Sequence, residues 1–148
     1  MVDYPTLLQR FTELLRNQNL KFTRQREAIL RTLHETDDHL SPEEIHRLVA
    51  RQNPDLNVGI ATVYRTLALL ESAGLADSIS FGKDGKKYEI GLKKHHDHLV
   101  CTECGTIIEF TDDVIETRQE AIAAAHNFHM TDQTMKIVGL CADCQNQV

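Results

Sequence analysis

Two Cys-x-x-Cys pairs, Cys101–Cys104 and Cys141–Cys144, fall within the last 54 residues of this 148-residue chain. They constrain the fold more than any other feature. A module that small rarely encloses enough apolar surface to hold itself together without a metal or a partner. Zinc takes four donors at tetrahedral corners, and a two-residue gap lets one turn offer two thiolates to one ion. The intervening Thr102-Glu103 and Ala142-Asp143 lack the helix-opening context of a thioredoxin-like pair. The four cysteines therefore read as one closed structural zinc site. A thiol–disulfide protein is the competing reading, and it would purify without zinc.

Charge divides the chain at the same place. Up to Lys94 there are 14 Lys+Arg against 13 Asp+Glu; beyond it only Arg118 and Lys136 stand against 9 acids. A mildly basic front and a strongly acidic back suggest two modules with different partners. No run approaches the ~18 apolar residues of a spanning helix, and the N-terminus lacks a basic region followed by an apolar core. A cytoplasmic location with no membrane partner is expected, and that reducing setting favours thiols as metal ligands.

Apolar spacing predicts four helices in the front part. The first spans Pro5 to Gln18, with Leu7, Leu8, Phe11, Leu14 and Leu15 on one face. Thr23 caps a second, with Ala28, Ile29 and Leu33 inward. Ser41-Pro42-Glu43-Glu44 starts a third through a capping box and a proline at the first position, with Ile45, Leu48 and Val49 inward. The fourth runs from near Gly59 to Gly74, with Ile60, Val63, Leu67 and Leu70 inward and Gly74 just past its C-cap. The period then changes to two: Ile79 and Phe81, a turn at Gly82-Lys83-Asp84-Gly85, then Tyr88 and Ile90. Helices followed by a hairpin with Lys83, Lys86 and Lys87 at its tip describe a winged helix-turn-helix. The back part reads strand (His96 to Cys101), strand (Thr106 to Phe110), helix (Asp112 to His126) and strand (Thr134 to Leu140). The expected class is α+β: a winged helix-turn-helix DNA-binding domain over 1–91, with a helical extension at 1–19, then a small α/β domain over 92–148. Gly91-Leu92-Lys93-Lys94 is the expected hinge.

His95-His96-Asp97-His98 precedes the first cysteine. On a strand, His96 and His98 point one way and His95 and Asp97 the other, so one segment can feed two sites. Mixed nitrogen and oxygen donors suit iron(II), manganese, cobalt or zinc rather than calcium. Glu89, Glu109 and Glu116 are carboxylates available to complete such shells. On the fourth helix, Ala61, Thr62 and Arg65 face away from the apolar stripe, with Tyr64 at its edge. A small, weakly charged face with one arginine suits major-groove entry, supported by the basic wing and by Lys21, Arg24 and Arg26.

Gly59-Ile60-Ala61-Thr62-Val63-Tyr64-Arg65-Thr66-Leu67 resembles the recognition-helix signature of the ferric uptake regulator family of metal-dependent repressors. His95-His96-Asp97-His98-Leu99-Val100-Cys101-Thr102-Glu103-Cys104-Gly105 is similar to that family's metal-binding signature. The likeness runs from about Leu20 to Cys144. It implies a homodimeric repressor that binds double-stranded operator DNA, for which the fourth-helix face and the basic residues offer Lys21, Thr62, Tyr64, Arg65, Lys83 and Lys86 as the expected contacts. It implies structural zinc at Cys101, Cys104, Cys141 and Cys144. It further implies a regulatory site at His39, Glu89, His96, His98 and Glu109, where iron(II) acts as co-repressor and manganese(II), cobalt(II) or zinc substitute. His95, Asp97 and Glu116 match three ligands of another site in the dimerisation domain. That site's usual fourth ligand, a histidine, aligns with Gln133, a weaker donor. A zinc-uptake or peroxide-sensing regulator of the same family is the sibling alternative. A metallohydrolase is the remote one, disfavoured because the donors suffice to saturate a metal and leave no open position. Neither enzymatic activity nor a small organic substrate is expected.

Overall fold

A computed structural model describes residues 2–80, 85–91 and 95–147 of the chain. It divides into two compact units, Met1–Lys94 and His95–Val148, and each is taken by itself.

The first unit opens with α1 (Tyr4–Asn17), capped by Asp3, with Leu7, Phe11 and Leu15 buried. These three side chains are part of the unit's core, so the N-terminal extension is integral to it. Tyr4 also fastens α1 to α2 (Arg24–Glu35). Its hydroxyl donates to Glu27 over 3.3 Å, and the Arg31 guanidinium lies 4.7 Å from its ring centroid. Thr23 caps α2 through the Arg26 amide, as its position predicts. At α3 (Pro42–Gln52) the capping box is complete: the Glu44 amide donates to Ser41 Oγ at 3.1 Å, and the Ser41 amide to Glu44 Oε2 at 2.7 Å.

Helix α4 (Ile60–Ser72) ends in a left-handed glycine, Gly74, with φ of +72°. The Gly74 amide donates to the Glu71 carbonyl and the Leu75 amide to that of Leu70, two bonds that close the helix end. One expectation for α4 fails. Ile60, predicted inward, is 40% exposed, whereas Thr66 is 2% exposed and packs beside Leu67. Ile60 occupies the first helical position, beyond the reach of the core, and the inward stripe begins one turn later at Val63.

Strands β1 (Ala76–Ser80) and β2 (Lys86–Ile90) pair antiparallel from Ala76↔Ile90 to Ser80↔Lys86. The expected turn, including Phe81, Lys83 and Asp84, lies outside the described residues, as do Leu92, Lys93 and Lys94 of the expected hinge. A two-bond bridge between Leu40 and Tyr88 ties the α2–α3 connection to β2. At Gly91 a Cβ atom would come within 3.1 Å of the Gly74 carbonyl oxygen, so only glycine fits unstrained.

The second unit is a three-stranded sheet of order β4-β3-β5 with a helix outside it. Strand β3 (Asp97–Cys101) pairs antiparallel with β4 (Ile107–Phe110) and parallel with β5 (Lys136–Gly139). Between β4 and β5 runs α5 (Asp113–Ala125), capped by Asp112, and the one-turn α6 (Ala142–Gln145) follows β5. The strands start one or two residues later than alternation predicts.

Candidate metal centres and nucleic-acid face

The register of the second unit assembles the four cysteines. Cys101 ends β3 opposite Gly139 of β5, and the Thr102 amide donates to the Gly139 carbonyl. Cys141 therefore emerges just beyond the paired strands, beside the β3–β4 turn. That turn is closed by Gly105, whose φ of +75° suits glycine and whose amide donates to the Cys101 carbonyl. The four sulfur atoms all lie within 4.8 Å of one another, and Cys104 and Cys141 are 3.7 Å apart. Sulfurs bound tetrahedrally at the usual Zn–S length stand about 3.8 Å apart, so the cluster has the dimensions of a zinc site. Backbone amides of Cys104 and Cys141 aimed at Cys101 lower its pKa to about 6. The Cys141 side chain, followed by burial, pushes the Cys144 thiol up. The residues fit zinc.

A second cluster surrounds His95. Its Nε2 lies 3.4 Å from Asp97 Oδ1, 3.9 Å from Glu116 Oε1 and 3.3 Å from Gln133 Nε2. All four residues of the expected additional site thus meet, Glu116 from the first turn of α5. Asp97 is fully buried; its Oδ1 accepts from the Met135 amide, while Oδ2 has no hydrogen-bond partner. A buried carboxylate with an unsatisfied oxygen is costly unless a cation approaches.

The residues expected at the regulatory site divide between the units. In the first, the Leu40–Tyr88 bridge sets His39 beside Glu89, with Nε2 and Oε1 3.1 Å apart and Glu89 only 2% exposed. In the second, His98 is paired across the ladder with Glu109, and His96 Nε2 stands 3.4 Å from Glu109 Oε1. The His96 and His98 rings meet edge to face with centroids 4.7 Å apart. Alternation along this segment holds: His96 joins His98 and Glu109, while His95 joins Asp97.

The outer face of α4 carries Tyr64 and Arg65, both exposed, with Thr62 half-buried. Lys21 is exposed, and its carbonyl accepts from the Arg26 guanidinium. Lys86 is not a lone cation: Glu71 holds its Nζ at 3.1 Å. Tyr64 donates to Glu43 Oε1 at 2.5 Å. Sequence reasoning assigned neither acid to this face. Glu43 reads as a helix-start residue, and no periodicity signals a contact across 21 positions.

Among known proteins, residues 17–138 match the ferric uptake regulator family model. The ferric uptake regulation protein of Campylobacter jejuni is 52% identical over 146 residues, covering 99% of this chain and 93% of that relative. A solved ferric uptake regulator of Helicobacter pylori, described as having three functional metal binding sites, superposes with a TM-score of 0.88 at 35% identity, covering 97% of this chain and 95% of that one. A Pseudomonas aeruginosa ferric uptake regulator solved with manganese gives 0.74 at 33% identity over 88% of this chain and 97% of that one.

Proposed function

The chain belongs to the ferric uptake regulator family, and from that premise we infer a metal-responsive repressor of iron-uptake genes with iron(II) as co-repressor. It is a regulator rather than an enzyme, it acts in the cytoplasm as a homodimer, and its partner is double-stranded operator DNA.

The observation that carries this reading is the buried His39–Glu89 pair of the first unit. It offers half a ligand set, and His96, His98 and Glu109 offer the other half from the second unit. Together they are proposed to bind one divalent cation. Such a cation supplies binding free energy to arrangements in which both halves converge, and that preference is what metal adds to DNA affinity. Tyr64 and Arg65 of α4 then present hydrogen-bonding and apolar groups to base edges, while Lys21, Lys83 and Lys86 meet phosphates. The acidic second unit is repelled by DNA and leaves the first to contact it. Its exposed Leu99, Ile108 and Ile137, in register across β3, β4 and β5, supply an apolar face for a second copy.

The family of solved relatives includes a manganese-bound form, which supports manganese(II) as an air-stable surrogate. The test is a titration of DNA binding against iron(II), manganese(II) and zinc, with metal analysis of the same sample. Repression chemistry requires operator affinity to rise as iron(II) or manganese(II) occupies the second class of site, above one zinc per chain. Binding indifferent to iron(II) and manganese(II) but driven by zinc would move the assignment to a zinc-uptake regulator.

A further inference from the structure

Beside the proposed DNA-facing surface of α4 stands an acid of α3 that no metal site requires, with the Ser41 side chain and Arg47 also near its carboxyl. Glu43 lies in the first turn of α3, but the capping box there is closed by Glu44. The helix dipole would be served equally well with the Glu43 carboxylate in water. Instead the carboxylate accepts the Tyr64 hydroxyl at 2.5 Å, bridging α3 to the outer face of α4. Tyr64 is 48% exposed, so little apolar packing holds its ring in one place.

We propose that Glu43 is a positioning residue for sequence reading: it fixes the Tyr64 ring for the operator and sets a negative charge beside the recognition face. The proposal rests on the inference that α4 meets DNA. Two physical consequences follow, and they have opposite signs. Anchoring the phenol removes rotamer freedom before binding, which strengthens contacts that need one ring position. A carboxylate at the tip of Tyr64 lies well within a Debye length of any docked phosphate and repels all DNA alike. That repulsion is common to every duplex and cancels when two sequences are compared, whereas the anchored ring favours only a sequence it fits. Glu43 thus widens the gap between the right sequence and the wrong one through Tyr64, while its charge lowers the affinity of both.

The contact also holds the Glu43 carboxyl below the usual carboxylate range, chiefly through the Tyr64 hydroxyl. The acid therefore stays charged throughout the physiological range.

The experiment uses the full chain loaded with zinc and manganese(II). Anisotropy is read on a duplex selected from a random pool by the parent protein, and on a shuffled duplex of equal composition. Glu43→Ala should bind the selected duplex about three- to tenfold more weakly and the shuffled one about twofold more tightly. Glu43→Gln keeps an acceptor at the same place and should stay within about twofold of the parent on the selected duplex. Tyr64→Phe should reproduce the loss on the selected duplex, and adding Glu43→Ala to it should cost less than about twofold more. Equal loss on both duplexes, or an undiminished Glu43→Ala effect in the Tyr64→Phe background, would overturn the proposal. If Tyr64→Ala binds the selected duplex like the parent, the DNA-facing assignment of α4 falls as well. A normal Tyr64→Ala loss without coupling removes the proposal alone.

Discussion

The two units are held together by different physics. The first encloses a continuous apolar core that runs from Leu7, Phe11 and Leu15 of α1 through Ile29, Leu33, Ile45, Val63 and Leu67 to Tyr88 and Ile90. In the second, the buried apolar side chains among the described residues are Val100, Cys101 and Cys144. Helix α5 has no buried residue at all, and Val114, Ile122 and Phe128 stand exposed on or just beyond it. One unit is stabilised by the removal of apolar surface from water, a contribution spread over many side chains and requiring no specific ligand. The other depends on thiolates, imidazoles and carboxylates, and so on what they bind. The difference teaches where regulation has room to act. A unit with little apolar core of its own would be ordered conditionally on its ligands and could report their concentration, while a unit with a full core would stay folded without them.

Removing zinc should break the comparison most violently. Binding at structural zinc sites is worth about 10–16 kcal/mol, much of it appearing as folding free energy. Cys101→Ser is expected to loosen the second unit and dissociate the dimer while the first keeps its protected amides. Hydrogen exchange resolved by unit, together with sedimentation and zinc content, checks this. A zinc-free variant that sediments as a stable dimer, with both units equally protected, would show that the second unit holds itself together.

A cavity in the first core should have the converse effect. Phe11→Ala is expected to cost about 3–5 kcal/mol, because the side chain is fully buried and its neighbours cannot close the gap. Zinc stoichiometry should remain at one per chain. Denaturant unfolding and metal analysis of the same variant decide it. Loss of zinc on this substitution would mean that the two units do not fold as separate systems.

Smaller effects sharpen the DNA-facing side. Arg65→Ala should weaken operator binding by about 1–3 kcal/mol with dimerisation intact, as expected for lost base contacts. Lys86→Ala should weaken all DNA similarly and reduce the salt dependence by about one phosphate's worth. Its effect should fall short of that figure to the extent that Glu71 already neutralises the lysine. Filter binding across salt concentrations reads both.

Much of this was legible in local sequence because local chemistry determines it. The caps of α2 and α3, the glycine ending α4 and the alternation through His95-His96-Asp97-His98 depend on neighbours within a few positions. The cysteine cluster was legible for another reason, since no other structure for two such pairs in so small a module is as economical. Ile60 was misplaced because periodicity marks a face but not where along a helix the core stops. The burial of Glu89 and Asp97 was likewise hidden. Glu89 lies between Tyr88 and Ile90, which alternation sends to the opposite face, and Asp97 lies between two histidines; only pairing to Leu40's segment and to Met135 removes them from water. The hydrogen bond from Tyr64 to Glu43 depends on how α3 packs against α4, which no spacing within either helix encodes.

If metal acts on DNA binding through ligands drawn from both units, as proposed, two neighbouring residues should respond very differently to substitution. His98 and Asp97 are adjacent in β3 yet belong to different clusters, His98 with Glu109 and Asp97 with His95. His95, Asp97, Glu116 and Gln133 all lie in the second unit, so occupancy there cannot by itself join it to the first. Gel-shift titrations of the two variants with manganese(II) should find metal-activated operator binding largely abolished by His98→Ala and only modestly reduced by Asp97→Ala. Equal losses, or a larger loss for Asp97→Ala, would contradict the account.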